Sequence, residues 1–403
     1  MTQTLRTVLF TWEIGQGFGH VLPLLPVARS LQRQGHRVVF ALRDVRAAGA
    51  LLKKEGFTVL QAPTHPDQFF PANGPQPQSM ADILSIFGFS SEKHLAGLIS
   101  AWEGVFSLCQ PDVVVGSYAP LSLLCARRAG IPTVLMALPF ELPSTSHPSP
   151  VLRTGLPPIT ATVDDRVIKT VNAAFGDQVI RRVHDIFRAD RTFMMSFPEL
   201  DSIGSRVGID YCGSFFVTDI GAAPAWPNHG QHRVFAYLNA GLPQLDVLRE
   251  QLHASPYAYF VHLRDATPAL LAKWHAPNVN VTSEVVRLDQ ALDACDAVLS
   301  YGGNGFVSAS LLAGKPIVFF VRNLESYITA RQVAKLGAGV LPQPQTAANV
   351  VGGLTLVLNQ ASFRAASAEF ASQHSSNSQA KAVDRVSDSI AHVQVTCHDA
   401  HTQ

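Results

Sequence analysis

Apolar positions along this chain form two series, each alternating short continuous runs with longer stripes of helical period. In the first series, Thr7–Thr11 reads as a strand, and Val21–Gln34 as a helix with its stripe at Leu24, Leu25, Val27, Ala28 and Leu31. Gly35 closes that helix, and Arg37–Leu42 is the next strand. A helix over Val45–Lys54 and a strand over Phe57–Gln61 follow. A Pro-rich loop over 62–78 precedes an apolar helical stretch from Ala81 to Cys109. Strands at Asp112–Val115 and Thr133–Ala137 flank a helix at Leu121–Ala129. After the Pro- and Ser-rich stretch Pro139–Pro158 come a long helix, Ala161–Ala189, and strands at Thr192–Ser196 and Gly208–Cys212.

The second series begins at Arg233, with strands at Val234–Leu238, Ala258–Leu263, Val279–Thr282, Ala297–Ser300 and Ile317–Val321. Three helical segments between about Ala347 and His392 finish it, ahead of a polar tail from Thr396. Alternation of this kind predicts two doubly wound α/β domains with parallel sheets. The expected boundaries are 1–216 and 231–375, joined by a linker over 217–230 that carries Pro224, Pro227 and two glycines. The remaining 376–403 would form a C-terminal helix, free to pack back on the first domain, and a tail. Ligands in such folds bind beyond the strand carboxyl ends, in a cleft between the two halves.

Composition narrows the class. The 403 residues are 47% hydrophobic and 15% charged, enough apolar material for two large cores. A formal net charge of +1 argues against a nucleic-acid partner, which would call for a basic stripe. No apolar run is long enough to cross a membrane, and the N-terminus lacks a signal-peptide pattern. Five cysteines without a CxxC motif read as buried thiols in a reducing, cytoplasmic compartment. The histidines form no HxxxH or HExxH pair, so no metal site is expected.

Two glycine-rich turns carry the chemistry. The first, GQGFGHVLP from Gly15 to Pro23, joins a strand to a helix; such a turn either approaches a phosphate, with Gly17 as its contact, or serves plain βα packing. His20 stands at the expected helix N-terminus, where the dipole favours the neutral imidazole of a general base. The alternative for His20 is a capping or solvated histidine, and Glu13, two residues before Gly15, is placed to assist or replace it as base. The second turn, YGGNG over Tyr301–Gly305, joins strand Ala297–Ser300 to a helix. Gly302, Gly303 and Gly305 have no Cβ to obstruct an anion, and Asn304 and Phe306 add backbone N–H groups.

GHVLP near the N-terminus, together with YGGNG…LLAGKP…NLES…GAG around residue 300, resembles the nucleotide-sugar glycosyltransferases of the GT-B fold. Within that fold the chain is most similar to bacterial UDP-glycosyltransferase-like and macrolide-glycosyltransferase-like proteins. YCGSFF over Tyr211–Phe216 matches the end of their N-terminal half. The resemblance implies an acceptor-binding N-terminal domain, a donor-binding C-terminal domain, and His20 as the base that deprotonates the acceptor. It implies a UDP- or dTDP-linked sugar as co-substrate and no further cofactor. Where the family pattern has histidine, threonine and glutamate after its second turn, this chain has Tyr301, Phe306 and Ala309. Where it has an acidic residue and glutamine against the sugar, the chain has Glu325 and Ser326. Val286 and Arg287 fall where the family's main chain pairs with the base, and Asn239 and Gly241 are diphosphate neighbours by position. The aspartate that orients the catalytic histidine should follow strand Asp112–Val115, but Gly116 and Ser117 stand there, so a His–Asp dyad is not supported. Phe140 and Glu141 either line the acceptor pocket with Ser117 or form an ordinary loop pair. Phe69, Phe70, Phe87 and Phe89 either cover that pocket, which suits a small-molecule apolar or lipid-like acceptor, or belong to the core.

The expected activity is inverting transfer without a metal, in keeping with the lack of an Asp-x-Asp triplet. Two other readings stand on the same fold: a binding or auxiliary protein that has lost the chemistry, and a nucleotide-sugar 2-epimerase.

Overall fold

The structure, a computed structural model, describes residues 4–15, 18–64, 77–152, 161–216, 221–321, 323–376 and 378–396. Gly17, Phe69, Phe70 and most of the Pro-rich loop therefore lie outside the described residues, as do 153–160, 217–220 and the tail from 397. The chain forms two compact units. One comprises Met1–Phe197, Arg206–Phe215 and Gln379–Gln403, and the other Pro198–Ser205 and Phe216–Ser378.

In the first unit, strands β1 (Thr7–Trp12), β2 (Arg37–Leu42), β3 (Thr58–Gln61), β4 (Val113–Gly116), β5 (Thr133–Ala137), β6 (Arg191–Met194) and β7 (Asp210–Tyr211) form one sheet. Their order is β3-β2-β1-β4-β5-β6-β7, and every pairing is parallel. All residues of β4 and β5 are buried, because helices cover both faces, and this is why these strands read as continuous apolar runs. The second unit holds β8 (Arg233–Asn239), β9 (Ala258–Arg264), β10 (Val279–Thr282), β11 (Ala297–Ser300), β12 (Ile317–Phe319) and β13 (Gly339–Val340). Their order is β10-β9-β8-β11-β12-β13, again all parallel. The strand order reverses between β1 and β4 in the first sheet and between β8 and β11 in the second. A crevice opens at such switch points.

Several elements differ from expectation, each for a local reason. The helix expected from Val21 begins at Leu25, after 3-10 turns at Phe18–His20 and Leu22–Leu24. Pro23 and Pro26 lack the N–H that a longer helix would need there. The stretch from Ala81 divides into Met80–Leu84, a π-turn and the helix Glu92–Cys109, broken where Gly88 adopts φ +94° and Ser91 caps the next helix. The helix expected over Ala161–Ala189 ends at Phe175, because Gly176 turns left-handed, and a 3-10 turn at Val183–Phe187 follows. Strand β7 falls within the strand expected at Gly208–Cys212, whereas the two-residue β13 is too short to show any periodicity. Ala222 forms a parallel bridge with Val286, which attaches the described part of the 217–230 stretch to the second unit. Trp226 lies there with its ring 5.8 Å from that of Phe260.

Candidate functional site

In the first unit the chain leaves β1 at Trp12 and turns back through Glu13, Ile14 and Gly15. The N–H groups of Glu13 and Ile14 both donate to the Tyr118 carbonyl, at 3.3 and 3.0 Å, tying this turn to the one after β4. Gly15 has φ +95°, and a Cβ on it would lie 2.2 Å from Nε2 of His20. Only glycine fits, so the conformation of this residue and the seat of the imidazole are one requirement.

His20 is 5% exposed, and its Nδ1 lies 2.7 Å from Oε1 of Glu141, which is 1% exposed. The second oxygen of Glu141 accepts the Leu138 N–H at 2.9 Å, fixing the carboxylate from behind. The imidazole stacks on Trp12, with ring centroids 5.6 Å apart, and tilts against Tyr118 at 5.7 Å. A carboxylate at Nδ1 makes that nitrogen the donor, so Nε2 holds the lone pair. His20 thus rides on a 3-10 turn, not at an α-helix N-terminus, and a carboxylate rather than a dipole sets its tautomer.

The sequence places Glu141 in the acceptor pocket and leaves His20 without an acidic partner. The structure brings the two together from opposite sides of the switch point. Ser117, which occupies the expected dyad position, is fully buried, and its hydroxyl has no hydrogen-bond partner among the described residues. Phe140 packs edge-on against Tyr118 at 6.4 Å. Phe87 and Phe89 are buried and line a small cavity with Glu13, Ile14, Pro63, Leu98 and Leu121.

Glu13 has a different task from the one expected. Its oxygens accept the N–H groups of Leu121 and Ser122, at 2.8 and 2.7 Å, at the start of the helix Pro120–Arg128. Burial pushes its pKa up to about 8 against the pull of those two donors. It is a helix-anchoring carboxyl, and its oxygens are already engaged.

In the second unit the turn after β11 is built from its own polar groups. Ser300 Oγ accepts the Gly302 N–H at 2.9 Å. Gly302 has φ +96°, and a Cβ there would sit 2.7 Å from the Ser326 Cβ. The helix Asn304–Leu312 starts at Gly303 without a side-chain cap. Its ladder opens with the Val307 N–H bonding the Gly303 carbonyl at 3.0 Å. The N–H groups of Asn304, Gly305 and Phe306 precede that bond, as at any helix N-terminus. A Cβ on Gly305 would meet open space, so this glycine is not demanded by packing.

The side chains around the turn separate into two groups. Phe306 is buried, lying 4.7 Å from the Tyr237 ring in a near-parallel stack and edge-on to Phe235, so it can offer a ligand only its backbone. Ala309 is also buried. Ser326 packs against Gly302, and its N–H bonds the Asn323 cap at 2.9 Å. Asn239 is buried, donates to Asp265 at 2.7 Å and accepts the Gly241 N–H at 2.8 Å, so its side chain ties strand ends together. Tyr301 is half-buried and stacks on Tyr237 at 5.7 Å, and Glu325 is half-buried on the first turn of the helix Leu324–Lys335. The Arg287 N–H bonds the Ala222 carbonyl at 2.9 Å, and the Arg287 side chain pairs with Asp289. Val286 itself gives neither its N–H nor its carbonyl to that bridge. Arg264 ends β9, one residue beyond the strand expected at Ala258–Leu263.

Residues 262–388 match the family model described as the erythromycin biosynthesis protein CIII-like C-terminal domain. Over the whole chain the fold is that of the GT-B glycosyltransferases. The glycotransferase of kitacinnamycin superposes with a TM-score of 0.70 at 16% identity, covering 96% of this chain and 99% of its own. CalG4, the calicheamicin glycosyltransferase, gives 0.70 at 17% identity over 95% and 98%. The spinosyn rhamnosyltransferase SpnG, complexed with thymidine diphosphate, gives 0.67 at 16% identity over 95% and 100%. No curated protein matches the chain. The expected resemblance is therefore borne out in the fold and in the segment holding the second glycine turn.

Proposed function

We propose that this protein is an inverting glycosyltransferase that uses no bound metal. It would move a sugar from a dTDP- or UDP-sugar to a hydroxyl of an apolar or amphipathic acceptor. The observation that carries the reading is the buried His20–Glu141 pair at the switch point of the first sheet. An imidazole held in one tautomer by a buried carboxylate is the arrangement of a general base. The family match over 262–388 supports a donor site in the second unit.

In this reading the acceptor hydroxyl gives its proton to Nε2 of His20 as its oxygen bonds to the anomeric carbon. The bond from that carbon to the phosphate oxygen breaks on the opposite side, and its electron pair leaves with the nucleoside diphosphate. Glu141 stabilises the imidazolium that forms. Backbone N–H groups from Asn304 to Phe306 support the departing charge. A thymidine nucleotide is supported by SpnG and VinC, which have been solved with thymidine diphosphate and dTDP, and by Ala309, which offers a ribose diol no carboxylate. SpnG has also been solved with the spinosyn aglycone, in keeping with an apolar acceptor. Four cysteines (Cys109, Cys125, Cys212, Cys295) are free and buried, which suits the cytoplasm.

One observation favours a binding or auxiliary protein that has lost the chemistry: Phe306 and Ala309 are buried where the family has donor-contacting side chains. A single assay series separates the readings. Saturating dTDP or UDP should raise the melting temperature, by about 2.7 kcal/mol of stabilisation at a hundredfold excess over Kd. His20→Ala should then lower transfer by about 10²–10⁴-fold while nucleotide affinity holds. No stabilisation by dTDP, UDP or GDP would end the transferase reading. Donor turnover without any acceptor would point to the epimerase, and binding with no turnover to the auxiliary protein.

A further inference from the structure

We infer that Arg264 is a diphosphate-binding residue, its guanidinium gripping the phosphates of the nucleotide held at the second glycine turn. The inference rests on the donor-site reading above. β9 lies beside β8 in a register that pairs Arg264 with Asn239, and β8 lies beside β11, pairing Tyr237 with Ser300. Arg264 and the Tyr301–Gly303 turn therefore open from the same carboxyl edge of the sheet, on either side of the β8 end. Side chains two apart on a strand share a face, so Arg264 stands on the His262 side of β9. There Tyr237 stacks on His262 at 4.8 Å, on Tyr301 at 5.7 Å and on Phe306 at 4.7 Å. This aromatic layer runs from β9 to the start of the helix at Asn304.

The guanidinium is prepared for an anion. Its Nε donates to Asp265 at 3.1 Å, and the same carboxylate oxygen accepts from Asn239 at 2.7 Å. Asp265 stands at φ +62°, in the left-handed region that Asp adopts more readily than most residues. Anchoring through Nε leaves the two Nη groups with no hydrogen-bond partner among the described residues. A half-buried fork fixed at one end is the geometry that grips a phosphate with two bonds. Burial works against its charge, but the pull of Tyr301 in its ionised form and of the Asp265 carboxylate outweighs it and holds the pKa above the ordinary arginine value. The turn from Ser300 to Phe306 has no charged side chain, and Tyr301 replaces the histidine of the family pattern. Arg264 supplies the positive charge that this replacement removes.

The test compares Arg264→Gln and Arg264→Lys with wild type by calorimetry, using UDP, dTDP, uridine and thymidine as probes. In Arg264→Gln, affinity for the preferred diphosphate should fall about tenfold or more while affinity for its nucleoside is unchanged. Arg264→Lys keeps the charge and a bond to Asp265 but loses the fork, so its loss should be smaller yet measurable. Unchanged diphosphate affinity in Arg264→Gln overturns the inference. So does an equal loss for nucleoside and diphosphate, which would mark a purely structural role. If wild type binds neither diphosphate, the donor-site reading fails and this inference with it. If wild type binds and both variants match it, only Arg264 is removed.

Discussion

At the scale of single residues, His20 is legible in the sequence and its partner is not. GHVLP marks the histidine, but Glu141 lies 121 positions away and reaches it only because the strand order reverses between β1 and β4. No local pattern signals that meeting. Glu141→Gln should leave the ring near its place while offering an amide in place of a carboxylate. Transfer should fall by about 10²–10⁴-fold with nucleotide affinity unchanged, as tautomer and imidazolium both lose support. Retained transfer would confine Glu141 to packing. Glu13 yields a second, independent prediction. Its folded pKa of about 8 lies above the ordinary 4.5, so between those values the folded state holds a proton that the unfolded chain releases. Stability from this group is fully present below about pH 4.5 and is lost as pH rises through 8. The loss is on the order of 3–5 kcal/mol. Melting curves from pH 5 to 8 should fall more steeply for wild type than for Glu13→Gln, and parallel curves would contradict the assignment.

Among elements, helices closed by a glycine are the ones that sequence places well, since Gly35 ends a stripe that is already clear. Gly176 carries the same signal inside a stretch expected to remain helical, and there its left-handed turn decides the outcome. The glycine turn at Tyr301–Gly305 is legible as a motif, yet its glycines are not equivalent. Gly302 is required by φ +96° and by the nearness of Ser326, whereas Gly305 has open space beside it on a helix. Gly302→Ala should therefore cost about 1–3 kcal/mol of stability, read from the denaturation midpoint. Gly305→Ala should hold or raise stability by up to about 1 kcal/mol, because alanine is the better helix former. If Gly305 exists to let a phosphate approach, the same variant should lose diphosphate affinity despite its intact fold. Unchanged affinity would assign that role to the backbone donors alone.

For the whole molecule, both parallel sheets follow from the alternation of runs and stripes, because a strand covered on both faces must be apolar throughout. The alternation leaves the C-terminal helix free to pack back on the first domain without naming the surface it covers. The helix Gln379–His392 belongs to the first unit, and its Val383, Val386 and Ile390 enter that unit's core. Arg6 Nη1 donates to the Val393 carbonyl at 2.8 Å, Gln34 to Asp388 at 3.1 Å, and Arg385 pairs with Asp210. Its stripe is amphipathic in sequence, but a stripe does not name the surface it covers. The unit that holds His20 is thus completed by residues far beyond the donor segment. Ile390→Ala removes a fully buried side chain from the first core and should destabilise it by about 2–5 kcal/mol. Hydrogen exchange should report the loss in the neighbouring helix Leu25–Arg33, with the strands β8–β12 keeping their protection. Loss spread equally over both sheets would mean that the two units unfold as one. In that event a weakened C-terminal helix would lower diphosphate binding together with the His20 chemistry.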